Sequence, residues 1–223
     1  MAVGAVFSAL EVVPLVLIGR EAWETLRQER RAPWMREYRW PLRFFVGTAF
    51  WNLVGAGVFG FLINPPIALY YLQGLNTTPV HGHTALFGVY GLLAIGLILF
   101  VLRRLTAGRG WKERPLALAF WSLNIGLALM VLVSLLPIGL LQANACVERG
   151  LWWARSAEFL GQPLIHGLRL LRVVGDSIFL FGVAALAWFV LGIETGWSLR
   201  PVAPAPKEES PRPREREEAE SVA

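Results

Sequence analysis

The residues best suited to chemistry lie in Val80-His81-Gly82-His83-Thr84, at the head of an apolar run that reaches Arg103 and Arg104, and two of the chain's three histidines are here. The run from Pro79 to Leu102 is long enough to cross a bilayer, which takes roughly 20 apolar residues, and an imidazole in such a segment marks a site. Successive residues of a helix turn by about 100°, so His81 and His83 leave one helix roughly 200° apart. A single metal ion gripped by both is thereby disfavoured. The spacing fits two sites flanking the helix, each taking one axial imidazole, with Gly82 leaving room for a flat macrocycle against the backbone. The plainer alternative is a pair of hydrogen-bonded packing residues.

The elements that must hold these side chains are membrane helices. With 55% hydrophobic and only 17% charged residues in 223, and a mean hydropathy of +0.50, the chain is too apolar for one soluble core. We expect an all-α, polytopic membrane helix bundle. The net charge of +5 does not point to nucleic acid, because the arginines sit in short segments between apolar runs and so speak of sidedness. Cys146 is the only cysteine, which excludes an intrachain disulfide and a thiolate cluster, and it reads as a packing residue.

Five spans are expected, at about 2–23, 41–64, 79–104, 116–141 and 171–193, within a bundle covering 1–195, with 196–223 as a disordered cytoplasmic tail rich in Pro, Glu and Arg. The first span carries Glu11 and Pro14. An acid there costs on the order of 3 kcal/mol on insertion scales, so Glu11 should face protein, a water chain or a metal, or else sit protonated and hydrogen-bonded in the bundle. Pro14 frees the Leu10 carbonyl and is expected to kink the helix. No basic segment precedes this run, and it reads as a membrane helix entered without its upstream neighbour. Gly47, Gly55, Gly57 and Gly60 give the second span faces for close contact.

Arg30, Arg31, Arg36 and Arg39 before the second span, and Arg103, Arg104, Arg109, Lys112 and Arg114 after the third, should be cytoplasmic. The link with Tyr70 and Tyr71 is then outside, the N-terminus is outside, and the histidines lie in the outer part of the bilayer. Asn124 and Ser134 are candidate interhelical hydrogen-bonding residues. The segment from Gln142 to Leu168, with Trp152 and Trp153, is expected as an outer loop with a short surface helix, and His166 as its interfacial histidine. Arg172 and Asp176, one turn apart, should pair, with haem propionates as the other partner for such an arginine.

The runs from Phe59 to Tyr71 and from Leu75 through the histidines to Gly91 closely resemble the large subunit of bacterial nitric oxide reductases, the quinol-dependent single-subunit type above all. Ser8 to Glu11, Phe120 to Gly126 and Leu171 to Asp176 are similar to segments of the same family, and the likeness covers nearly everything but the tail. The resemblance implies the haem-copper oxidase superfamily and reduction of two NO to N2O and water in the bacterial inner membrane. It implies that His81 is the proximal ligand of the high-spin haem b3, that His83 is one axial ligand of the low-spin haem b, and that Glu11 is the catalytic acid near a non-haem iron. The family places the ligands of that iron, and the second ligand of the low-spin haem, on earlier helices, which His166 alone cannot replace. The chain therefore resembles the C-terminal part of the reductase, inactive alone, whose partners would be lipid, the missing N-terminal half, and quinol or cytochrome c as electron donor. Two other readings stay open: a non-catalytic haem-binding or assembly module, and a segment of an oxygen-reducing terminal oxidase.

Overall fold

The computed structural model describes residues 2–10, 12–28 and 33–200. In chain order the helices are α1 (Ala2–Leu10), α2 (Val12–Gln28), α3 (Pro33–Glu37), α4 (Arg39–Ile63), α5 (Pro66–Leu72), α6 (Thr77–Leu105), α7 (Arg114–Arg149), α8 (Leu151–Ala154), α9 (Ala157–Leu160) and α10 (Pro163–Glu194). No strand is present among the described residues beyond an isolated bridge between Trp111 and Leu199. The all-α architecture is as the composition demands.

Four helices, α4, α6, α7 and α10, are long and apolar enough to cross a membrane, against the five expected. The discrepancy is at the start: α1 and α2 lie on either side of Glu11, which falls outside the described residues, as does the tail from 201 onward. The last two spans are also longer than expected. Helix α7 runs to Arg149, and α10 begins at Pro163, so the anticipated 142–168 loop shrinks to a short connection holding α8 and α9. Polar residues continue α7 because protein contacts absorb them. Gln142, buried, accepts the Asn76 backbone N–H at 2.9 Å and donates to the Ala154 carbonyl at 3.0 Å. Gly150, at φ 92°, then ends the helix in a conformation that costs a residue with a side chain far more. Cys146 is free and buried beside Leu75 and Ile138, as a packing residue.

Helices α4 and α6 run antiparallel, and their register is written in glycines. A Cβ on Gly60 would lie 3.0 Å from the His81 ring, one on Gly88 would lie 2.5 Å from Trp51, and one on Gly96 would lie 2.6 Å from Phe45. Between these contacts Gly55 meets Thr84 and Gly47 meets Leu92. At each level a glycine on one helix receives a larger side chain from the other, which is how membrane helices gain contact where no hydrophobic force separates protein from lipid. The Trp51 indole also donates to Asn124 on α7 at 2.9 Å, so Asn124 does bond between helices, whereas Ser134, buried in α7, makes no such bond among the described residues.

Helix α10 packs on α7 through a second glycine contact. A Cβ on Gly126 would come within 2.6 Å of the Phe179 nitrogen, and one on Gly175 within 2.8 Å of the Met130 nitrogen. Backbone meets backbone there. At the end of the bundle away from the histidines, Arg103 is buried, donates to the Arg109 carbonyl at 2.7 Å and reaches Glu37 at 3.4 Å, while Arg39 pairs with Glu113. The chain after α10 is stitched to the α6–α7 loop by Lys112 donating to the Ser198 carbonyl and Arg200 to that of Gly110.

Candidate functional site

Helix α6 is α-helical from Thr77 to His83 and widens into i+5 bonding from Thr84 to Gly91. The histidines thus lie before the widening, where the 100° step applies, and their rings diverge. Local turns of this wide kind are rare and frequent at functional sites, and α4 carries one opposite, from Asn52 to Phe59.

His81 faces α4. Its Nδ1 lies 3.3 Å from the Gly55 carbonyl, inside the wide segment of α4, and its ring rests on Gly60. A carbonyl only accepts, so Nδ1 carries the proton and the Nε2 lone pair is left for another partner. His83 faces α10. Its Nδ1 donates to the Pro79 carbonyl at 2.9 Å, one turn back, and its Nε2 lies 3.0 Å from Nη2 of Arg172. A guanidinium only donates, so Nε2 of His83 is again the lone-pair nitrogen. The ring also stands edge-on to Phe87, centroids 5.6 Å apart, and Phe87 leans on Phe179 of α10 at 5.4 Å.

The residue set fits axial ligation of haem. Metal-binding histidines donate their second N–H to a carbonyl or carboxylate, which fixes tautomer and ring orientation, and both imidazoles here are held that way, with the Nε2 lone pair left for a further partner. A Cβ on Gly82 would meet nothing within 4 Å, so the backbone between the rings is open to a flat group. Only 22% of the most apolar window of α6 is buried, the same share as for α10, against 50% for α7. Much of α6, like much of α10, is therefore left uncovered by the described residues.

The sequence missed Arg172 as a neighbour of His83. Its expected pairing with Asp176 is present at 3.4 Å, but its other end crosses to α6, a contact between residues 89 apart that depends on how α10 packs and leaves no local signal. Glu11 lies outside the described residues. His166 is not in a loop: it sits in the first turn of α10, exposed and far from the other two in sequence. No cluster of three or more metal-binding side chains occurs among the described residues.

The family model for Cytochrome C and Quinol oxidase polypeptide I matches residues 1–178, which takes in both histidines, all of α4 and the part of α10 that carries Arg172. The chain belongs to this family. It is also 32% identical over 138 residues to a nitric oxide reductase subunit from Stutzerimonas stutzeri, an alignment that covers 58% of this chain and 28% of that protein. The matched part is thus under a third of the relative's length.

Proposed function

We propose that this chain is the haem-carrying C-terminal part of a membrane nitric oxide reductase, with His81 holding the high-spin haem b3 and His83 one side of the low-spin haem b. The observation that carries the reading is the divergence of two imidazoles from one helix turn, each with Nδ1 tied to a carbonyl. The similarity to the Stutzerimonas stutzeri reductase supports NO as the substrate within a family of oxidoreductases. When bound, haem with one imidazole keeps a position open for NO, whereas haem with two carries electrons.

The residues of this chain position and insulate. The Gly55 and Pro79 carbonyls hold the rings at fixed tilt, Gly60 lets His81 sit close to α4, and Phe87 with Phe179 packs beside the His83 ring. Placing both ligands on one turn keeps the path between the centres short. Arg172 would have to turn off Nε2 for that nitrogen to ligate, and Asp176 is already in reach to receive it. Glu11 is assigned the role of holding or delivering a proton near the reacting NO, because conversion of two NO to N2O and water takes up two protons with two electrons. The non-haem iron would be held by the N-terminal part of such a reductase, and the electron donor is quinol or cytochrome c. Residues 2–23 are then a fifth span, with the N-terminus outside and the basic end of the bundle, where Arg36, Arg103, Arg104 and Lys112 lie, facing the cytoplasm of a bacterial inner membrane.

Co-expression with the N-terminal half of such a reductase tests this. The purified complex should show both haem spectra and consume NO. His81→Ala should abolish turnover and the high-spin signal while leaving the low-spin one, and His83→Ala should do the reverse to the spectra. Spectra unchanged in both variants would overturn the assignment.

A further inference from the structure

Away from the histidines, α7 and α10 enclose between them a furrow of about 430 Å³. One wall is a stripe on α10, Phe181, Ala184, Ala185 and Trp188, spaced as i, i+3, i+4 and i+7, with two large rings standing at the ends and two alanines forming the floor. The other wall is the opening of α7, where Leu118 lies one turn inside Arg114. Beneath the furrow a Cβ on Gly182 would come within 2.9 Å of the Leu123 nitrogen, so the helices touch and the floor is closed. From Phe181 to Trp188 the slot is roughly 10 Å long at 1.5 Å per residue.

Its two ends differ. Arg114 stands at the mouth, exposed, and has no hydrogen bond or ion pair among the described residues, because the neighbouring carboxylate of Glu113 is taken by Arg39. Trp188 is half of a tryptophan pair with Trp197, ring centroids 4.3 Å apart, and this is the level at which α7 starts and α10 ends. Tryptophan and arginine at helix ends mark the headgroup layer. The furrow is therefore a carbon-lined slot that runs into the bilayer from a lone cation at the headgroup level. Charge and shape together call for an acid head on a narrow apolar chain.

We propose that the furrow seats one acyl chain of an anionic phospholipid whose phosphate pairs with Arg114. The site is separate from the histidines, and it stands whether or not the chain carries haem.

The test uses the protein as purified from membranes, with any partner chain it retains, in nanodiscs containing a fixed fraction of acyl-brominated phosphatidylglycerol or acyl-brominated phosphatidylcholine. Bromine quenches tryptophan on contact, and the Trp188 share is the difference between the native chain and Trp188→Phe. Phosphatidylglycerol should quench that share at about one fifth of the mole fraction phosphatidylcholine needs, the factor a single basic residue supplies near an acidic surface. Arg114→Gln, a change at an exposed position, should erase the preference, and Ala185→Leu, which fills the floor, should weaken quenching by both lipids. Equal quenching by the two lipids in the native chain would overturn the headgroup contact. Quenching untouched by Ala185→Leu would overturn the seated acyl chain, and no quenching of Trp188 by either lipid would show the furrow covered by polypeptide, overturning the proposal.

Discussion

Replacing Gly88 by alanine should destabilise the bundle even though alanine is the better helix former. The added Cβ would sit 2.5 Å from Trp51 Cγ and 2.6 Å from its Cβ, about 1 Å inside ordinary contact. Trp51 is 5% exposed and its Nε1 is bonded to Asn124, so the indole cannot step aside without losing that bond. Overpacking costs about 1–3 kcal/mol, and an interhelical hydrogen bond in a membrane about 0.6–2 kcal/mol. Against this stands a helix-propensity gain of about 1 kcal/mol for glycine to alanine. The net loss should be about 1–3 kcal/mol. A double-mutant cycle separates the causes: with Trp51 shortened to leucine, Gly88→Ala should become neutral or stabilising, because the obstacle is gone. Unfolding by a denaturing detergent, followed by helical circular dichroism in mild micelles, measures both steps. Equal losses in the two backgrounds would refute the fit between Gly88 and Trp51.

Two further perturbations address the other supports of the site. Gly175→Leu drives a side chain into the Met130 backbone, which cannot rotate away, so α10 should separate from α7, with a stability loss of at least about 3 kcal/mol and loosening of the Arg172–His83 contact; the same melting assay and a distance label between α6 and α10 check it. Gln142→Leu removes the partner of the Asn76 N–H and of the Ala154 carbonyl at once, and at about 1–3 kcal/mol per orphaned buried group the loss should be roughly 2–6 kcal/mol, visible also as faster amide exchange at Asn76.

The parts of the fold that one helix dictates were legible in the sequence. Apolar length placed α4, α6, α7 and α10, and the helical turn alone sent His81 and His83 to different sides. What failed was whatever a second helix decides. Gln142, Asn144 and Glu148 read as loop because polarity past an apolar run ordinarily means water, yet Gln142 is buried by the stretch of chain before α6 and by α8. His166 was placed in that same loop for the same reason. The glycines of α4 were rightly read as contact points, but nothing in the sequence told which residue of α6 each would receive. Arg172 had a partner one turn away and so gave no hint of a second, on a helix 89 residues earlier. The wide turns in α4 and α6 were not anticipated either: they are richer in glycine than the helix beside them, but glycine in a membrane helix equally marks a close contact.

The two histidines owe their positions to different interfaces, and that separation bears on how the pair can work. His81 is placed by the α4–α6 contacts, in which Gly60 receives its ring, Gly55 meets Thr84 and Trp51 fills the gap at Gly88. A slip of α6 by one turn would break all of them together, so the axial height of His81 is fixed by shape. His83 has no such ladder beneath it. It meets α10 through Arg172 and the Phe87–Phe179 pair, and α10 in turn is held by α7 at Gly126 and Gly175. Its ring is positioned along α6 by its own bond to Pro79, but the group facing its Nε2 is set by an interface on the far side of the bundle. The environment of one imidazole can therefore be altered through α7 and α10 while the other keeps its carbonyl, its glycine and its height. The two redox centres proposed for this helix would need that independence, and the means is to flank one helix with two neighbours held by separate sets of glycines.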